Sequence, residues 1–374
     1  MNEMEVDLDK IKKNLFEICK RARKSVDRVI AVVKDNSYGL GAKAVSKTLQ
    51  DAGVVWFAVA RINEAVFLRK NGITGDILVL GNTDECFFKV ASHCNITLSI
   101  VDYTQISVIK KSLGNYNLKW HLNVDTGMRR DGIMCENLFD DSKTEQKIKE
   151  LAPVISGVYT HYHSSDSKDQ NSVFLQQNKF KNAISVLRNA GFDFDVIHTS
   201  NSGACVYSPV AENEFIRPGV LLYGCRPDPL REPEINVCET VKIYSKVSGI
   251  RNVKNGEGVS YGHIWTAPRD TKIATVSIGY ADGFPRAVTQ TAFVLIKGKK
   301  YPIVGRVTMD YIMIDIGNET QVCVGDEVKI IGIDELASNA RTIGYELLCK
   351  FGGLMNHKYI SDKQVISTHR RELF

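Results

Sequence analysis

Short runs of consecutive apolar residues, rather than alternating ones, mark the first two thirds of the chain. They fall at 29–33, 56–60, 77–80, 96–100, 120–124, 154–162, 194–197 and 220–223. Runs that are apolar throughout suit strands buried on both faces of a parallel sheet. Helical patterns separate them. Leu8, Ile11, Leu15, Ile18 and Ala22 share one helical face. The segment 64–70 ends at Asn71-Gly72, a C-terminal cap signal, and Phe180, Ile184 and Leu187 stop at Ala190-Gly191. Eight strands alternating with helices predict an α/β fold, an N-terminal (β/α)8 barrel of the TIM type. An open doubly wound sheet is the alternative on pattern alone.

The pattern changes after residue 232. Short strand-like segments at 241–247, 273–278, 293–296, 312–316 and 328–331 are separated by glycine-containing turns. A helix is expected only at 343–350, and a linker at 230–234. The expected organisation is therefore a barrel over 1–232 and a mostly β domain over 233–374. A length of 374 residues suits two such units.

Composition narrows the function classes. With 44% hydrophobic and 24% charged residues, the chain is neither collagen-like nor disordered. Forty-eight basic against 43 acidic residues, spread along the length, argue against nucleic acid as a partner. No run approaches 18 apolar residues, so no membrane partner is expected. The N-terminus MNEMEVDLDKIKKNLF lacks the apolar core of a signal peptide, so a cytoplasmic location is expected. Nine scattered cysteines form no CxxC pair. They read as small buried hydrophobes, with no metal site expected; a zinc site or a catalytic thiol is the lesser alternative.

In a barrel of this kind, active sites lie at the C-terminal ends of the strands. Lys34 follows the first run, and Arg129 and Arg130 come shortly after the fifth. Thr160, His161 and His163 close the sixth. His198, Thr199, Ser200, Asn201 and Ser202 follow the seventh, and Arg217-Pro218-Gly219 opens the eighth. Lys34 abuts five apolar residues, which should desolvate its amine and make it nucleophilic. Asp35-Asn36-Ser37-Tyr38-Gly39-Leu40-Gly41 behind it suggests a tight loop where backbone meets a ligand. Small residues with exposed N–H groups beside Ser and Tyr hydroxyls can make a phosphate cradle near strands seven and eight. Each residue alone reads equally well as structural: a strand-end lysine, a satisfied histidine, plain turns.

Residues 31–42, Ala-Val-Val-Lys-Asp-Asn-Ser-Tyr-Gly-Leu-Gly-Ala, closely resemble the pyridoxal-phosphate lysine motif of the bacterial alanine racemase family. The resemblance continues through Val124 to Arg130, Thr160-His161, Asn201-Ser202, Arg217-Pro218-Gly219 and Leu222-Tyr223-Gly224. In the second domain it takes in Ser260-Tyr261-Gly262, Gly279 to Arg286, Gly305 to Asp310 and Thr342 to Glu346. It implies a homodimer in which the β domain of one chain completes the site of the other, and pyridoxal 5'-phosphate as cofactor. The reaction implied is interconversion of L- and D-alanine, supplying D-alanine for peptidoglycan. A racemase of serine, lysine, ornithine or several amino acids is the second reading, and a non-catalytic cofactor-binding barrel the third.

The roles carried over by motif are as follows. Lys34 forms the Schiff base and is one catalytic base; Tyr261, from the partner chain, is the opposing one. Tyr38, Ser202, Gly219, Val220 and Tyr345 hold the phosphate. Arg217 faces the pyridine nitrogen, with His161 behind it. Arg130 bonds the cofactor phenolic oxygen near the substrate carboxylate, which Met309 also contacts. Asp310 supports, and Asp166, Arg286 and Arg306 line the approach to the site. An arginine at the pyridine nitrogen keeps that nitrogen unprotonated. The weaker electron sink favours racemisation over transamination. The family often has a lysine, carbamylated in some members, where this chain has Asn123. Asn123 cannot carry a carbamate; some relatives with Asn there hold a chloride, and the resemblance implies that such an anion can place negative charge beside Asn123 and Arg130. Leu40 and Thr308 also depart from frequent family residues, without touching Lys34, Tyr261 or Arg217.

Overall fold

The computed structural model describes residues 2–140, 148–228, 234–318 and 321–369. The linker expected at 230–234 lies outside the described residues except for Glu234. Eight parallel strands follow one another around the first unit: Ile30–Val32, Trp56–Val59, Asp76–Val79, Ile96–Ile100, Trp120–Asp125, Ile155–Tyr159, Val196–Ser200 and Phe215–Ile216. A parallel bridge from Val29 to Ile216 joins the last strand to the first, and Val32 N–H donates to the Pro218 carbonyl at 3.0 Å. These contacts close the ring. Every residue of Ile30–Val32, Ile96–Ile100, Trp120–Asp125 and Val196–Ser200 is buried, as both-face burial in a helix-wrapped barrel requires.

Seven of the eight strands lie where the apolar runs predict them. The eighth does not. Val220–Tyr223, expected as a strand, is a fully buried 3-10 turn, and the strand is the preceding Phe215–Ile216. A four-residue apolar run reads the same as a buried strand or a buried turn. Arg217-Pro218-Gly219 therefore follows the eighth strand rather than opening it, which places Arg217 at a C-terminal strand end.

The outer helices bury the faces their periodicity indicates. Leu8–Ala22 starts on Asp7, whose side chain accepts from Lys10 N–H, and buries Leu8, Ile11, Leu15, Ile18 and Ala22. It ends on Arg23 in the left-handed conformation. Asn171–Asn189 buries Phe180 and Leu187.

The second unit is a closed ring of antiparallel strands. Its order is Thr271–Val276, Ile312–Gly317, Lys299–Val304, Phe293–Ile296, Glu327–Ile330 and Val241–Val253, which returns to Thr271–Val276. Closure removes the exposed edges that invite aggregation. Val241–Val253 alternates buried and exposed positions over its first half, the period of a strand with one wet face. The N-terminal strand Glu3–Asp7 joins this second sheet. It pairs antiparallel with Val241–Val253 and parallel with Asn356–Ser361, and so ties the start of the chain to its end. The helix expected at 343–350 is Gly344–Leu354, and a further helix, Ile333–Ala340, precedes it where none was expected.

Candidate active site

Lys34 begins a backbone turn that few sequences would adopt. Asp35, Asn36, Ser37 and Tyr38 all lie in the left-handed region, with φ between 51° and 56°. Non-glycine residues there cost about 1–3 kcal/mol each and persist only where their surroundings enforce them. The enforcement is visible. Ser37 N–H donates to Val33 O and Gly39 N–H to Asp35 O, both at 2.9 Å, and the Asn36 side chain accepts from Ala42 N–H at 2.7 Å. Gly39 itself has φ +89°, and a Cβ on it would lie 2.6 Å from the Leu348 carbonyl oxygen. The turn carries Lys34, half-buried, and Tyr38 to the same end of the barrel.

A cavity of about 520 Å³ opens there. Lys34, Tyr38, Asn123, Arg130, His161, Asp166, Ser202, Arg217, Gly219 and Tyr345 all line it. Tyr38 packs on Tyr223 and Tyr345 with ring centroids 5.1 and 6.1 Å away. Tyr223 is fixed by donating to the Val32 carbonyl at 2.8 Å. Gly219 N–H donates to Ser202 Oγ at 2.9 Å, and a Cβ on Gly219 would sit 2.5 Å from the Tyr38 hydroxyl. Only glycine fits there. Burial raises the pKa of both Tyr38 and Tyr345, so both phenols remain donors at any working pH. Val220, fully buried, begins the turn just after Gly219.

Arg217 is buried at another wall. Its guanidinium donates to Thr160 O at 2.7 Å, to Thr199 O at 3.0 Å and to His198 Nδ1 at 2.8 Å, and approaches His161 Nδ1 at 3.4 Å. It also lies over the Tyr159 ring, 5.4 Å from its centroid. Burial pushes Arg217 down to about 10, which leaves it charged near neutrality. Burial and the Arg217 charge push His161 down to about 3, so this imidazole is neutral. His198, expected just past the seventh strand, lies inside it, stacked on Tyr159 at 4.6 Å and 2.9 Å from His121 Nδ1. His121 gave no functional signal, because a polar residue in the middle of an apolar strand run reads as core.

Tyr261, Arg286, Arg306, Met309 and Asp310 do not line this cavity. They belong to loops of the second unit that cluster with one another. Tyr280 N–H donates to Thr308 O and Ala281 N–H to Met309 O, and Gly262 lies 3.5 Å, from a Cβ position, to the Arg306 side chain. Tyr261 is 73% exposed, and Ile264, Tyr280, Met309 and Tyr311 are also exposed.

The donor set fits pyridoxal phosphate. Hydroxyls of Tyr38, Ser202 and Tyr345 with the Cβ-free Gly219 suit a phosphate, Arg217 suits a ring nitrogen, and Lys34 offers the amine for an aldehyde. No helix among the described residues is long and apolar enough to cross a membrane.

A closed eight-stranded barrel with a lysine, two arginines and a hydroxyl cradle at its C-terminal strand ends defines a barrel enzyme of the two-domain, cofactor-binding class. The alanine racemase N-terminal domain profile matches residues 6–227 and the C-terminal domain profile residues 240–359. The chain is 36% identical over 370 residues to the alanine racemase of Methanococcus maripaludis, covering 95% of this chain and 98% of that one. It is 35% identical over 388 residues to alanine racemase 2 of Bacillus subtilis, covering 99% and 98%. The alanine racemase of Bacillus anthracis, solved with bound L-Ala-P, superposes with a TM-score of 0.87 at 32% identity, covering 99% of this chain and 97% of that one. That of Clostridium difficile gives a TM-score of 0.89 at 32% identity, covering 100% and 99%. The chain belongs to the alanine racemase family.

Proposed function

We propose that the chain interconverts L- and D-alanine with pyridoxal 5'-phosphate, in a homodimer whose two sites are shared between chains. The observation that carries the reading is the convergence of Lys34, Arg217 and the Tyr38–Ser202–Gly219–Tyr345 cradle on one cavity at the barrel mouth. The cofactor, when bound, delocalises the charge left at the α-carbon after its proton departs. Everything else falls to the protein. Lys34 attaches the cofactor and moves a proton at one face of the α-carbon through Nζ. Tyr261 Oη moves a proton at the other face. Inversion needs both, because one group cannot serve both faces. Arg217 offers the ring nitrogen a fixed positive charge, held by four contacts, and keeps that nitrogen unprotonated. Arg130 holds the phenolic oxygen and, with Met309, the substrate carboxylate; His161 backs Arg217. Asp166, Arg286, Arg306 and Asp310 shape the approach.

The dimer is supported by the second unit's exposed loop cluster. Five large hydrophobics, Tyr261 and Met309 among them, would otherwise face water. In this reading the barrel unit over 1–232 holds the cofactor and the unit over 233–374 serves the partner's site. A chloride beside Asn123 is one candidate for the negative charge that the resemblance implies near Arg130, and a carboxylate of the chain itself is the other. The place of the reaction is the cytoplasm, where D-alanine supplies peptidoglycan synthesis. The test is an absorbance spectrum of the purified protein followed by circular-dichroism assay of L-amino acids. Alanine should lose its signal fastest. Faster conversion of serine, lysine or ornithine would move the reading to another racemase, and a colourless protein would reject it.

A further inference from the structure

Arg130 is 56% exposed at the cavity, and a long side chain so placed samples many rotamers unless something holds it. Its Nε lies 3.7 Å from Asp131 Oδ1. That same oxygen accepts a hydrogen bond from Asn123 Nδ2 at 3.1 Å. Asn123 is 3% exposed and sits inside the strand Trp120–Asp125, so its amide is a rigid anchor. The backbone beyond Asp131 is equally fixed. Gly132 has φ +109°, donates to Val101 O at 2.6 Å and presses against the strand. A Cβ on it would lie 2.9 Å from Asp125 N and 3.1 Å from Asn123 Cγ. On the near side, the buried Asp125 carboxylate accepts from Gly127 N–H at 2.8 Å and Arg129 N–H at 3.1 Å. The loop that carries Arg130 and Asp131 is thus tied at its start to Asp125 and at its far end to Val101, which follows the adjacent strand Ile96–Ile100.

We propose that Asp131, anchored by Asn123, is the positioning residue for Arg130 and supplies from within the chain a negative charge beside it. The inference rests on the racemase reading for what Arg130 does, but not for where the charge is. A chloride beside Asn123 and Arg130 would have to share the space with the Asp131 carboxylate, and two like charges that close repel. The carboxylate removes the need for the ion. Asn123 then does not carry the charge; it aims it. Nothing in the residue sequence alone favoured this, because an Asp next to an Arg in a loop usually reads as a solvated pair.

The experiment uses the holoenzyme, wild type and the variants Asp131→Ala and Asp131→Asn, in gluconate buffer with chloride or formate titrated in. Loss of the outer partner that orients a metal ligand typically costs about 10–100-fold, and a loss of similar order is expected for the partner that orients a substrate-binding arginine. Both variants should therefore raise KM for alanine about tenfold or more, with a smaller change in kcat, and chloride or formate should reverse much of it. Wild type should be indifferent to chloride. Crystals grown with bromide should show an anomalous peak beside Asn123 in Asp131→Ala and none in wild type. This readout does not depend on turnover, so failure of the racemase reading leaves it standing. Asp131→Asn keeps the side-chain shape and decides the matter if Asp131→Ala does not fold. A bromide peak or chloride dependence in wild type, an unchanged KM in Asp131→Asn, or a loss that no anion reverses would overturn the proposal.

Discussion

The Arg217 guanidinium donates to His198 Nδ1 at 2.8 Å, and this contact sets the protonation of two buried imidazoles. Arginine has only donors, so Nδ1 of His198 carries no proton and its N–H is at Nε2. Nε2 is 2.9 Å from His121 Nδ1, which must then accept. The His121 proton is left on Nε2, which has no hydrogen-bond partner among the described residues. Arg217 therefore sits at the head of a chain of two neutral histidines, with a third, His161, beside it.

That arrangement predicts acid sensitivity. Burial, with the Arg217 charge second, holds His121 and His161 at about 3 and pushes His198 well below its usual value. The unfolded chain protonates its histidines below about pH 6.5, while the folded chain does not. The stabilisation is thus fully present above about pH 6.5 and is lost as pH falls toward about 3. Each group contributes a slope of about 1.4 kcal/mol per pH unit. Calorimetry should show Tm dropping between pH 7 and pH 5, and His121→Asn should flatten that drop. A Tm independent of pH over this range would mean that the imidazoles are not held neutral.

Gly219→Ala should damage the cradle more than the fold. The added Cβ would meet the Tyr38 hydroxyl at 2.5 Å, and overpacking of this kind costs about 1–3 kcal/mol. The expected outcome is a weakened affinity for pyridoxal phosphate with a Tm only modestly lowered in the cofactor-free protein. Unchanged cofactor affinity would place the phosphate elsewhere.

Borohydride treatment of the yellow holoenzyme should fix the cofactor to the peptide containing Lys34, as mapped by mass spectrometry. Label on any other lysine would refute the assignment.

The barrel was legible because its strands are apolar on both faces, which few other elements are. The eighth strand was misplaced because Phe215–Ile216 is only two residues long, while the following turn, Val220–Tyr223, is buried on every side. The strand Glu3–Asp7 was invisible for another reason. Its partners, Val241–Val253 and Asn356–Ser361, lie more than two hundred residues away, and five residues carry no local signal of such pairing. At the site, Lys34, His161 and Ser202 could be read from their strand-end positions; Arg217 could not, because the eighth strand was expected after it, and its role came from the family resemblance. Asp131 could not, because its meaning comes from Asn123, eight positions back on the strand that leads into its loop. The left-handed turn from Asp35 to Tyr38 contradicts local preference and is held by Asp35 N–H donating to Glu64 Oε1 at 2.5 Å and by Ala42 N–H donating to the Asn36 side chain.

Sharing of sites between chains predicts complementation. Lys34→Ala and Tyr261→Phe proteins should each be nearly inactive, and mixing them after subunit exchange should restore activity, because the hybrid contains one intact site. No recovery after verified exchange would mean that both bases come from the same chain.

The division of the two faces between Lys34 and Tyr261 is tested most directly by solvent deuterium wash-in at the α-carbon, followed by NMR for each enantiomer separately. Tyr261→Phe removes one hydroxyl and keeps the ring. It should slow racemisation in both directions by about 10²–10⁴-fold, the usual cost of losing a general base. By the family resemblance Lys34 serves D-alanine, so exchange into D-alanine should survive far better than exchange into L-alanine, since Lys34 can still take and return a proton on its own face. Equal loss of exchange from both enantiomers, or racemisation at the wild-type rate, would contradict the two-base account.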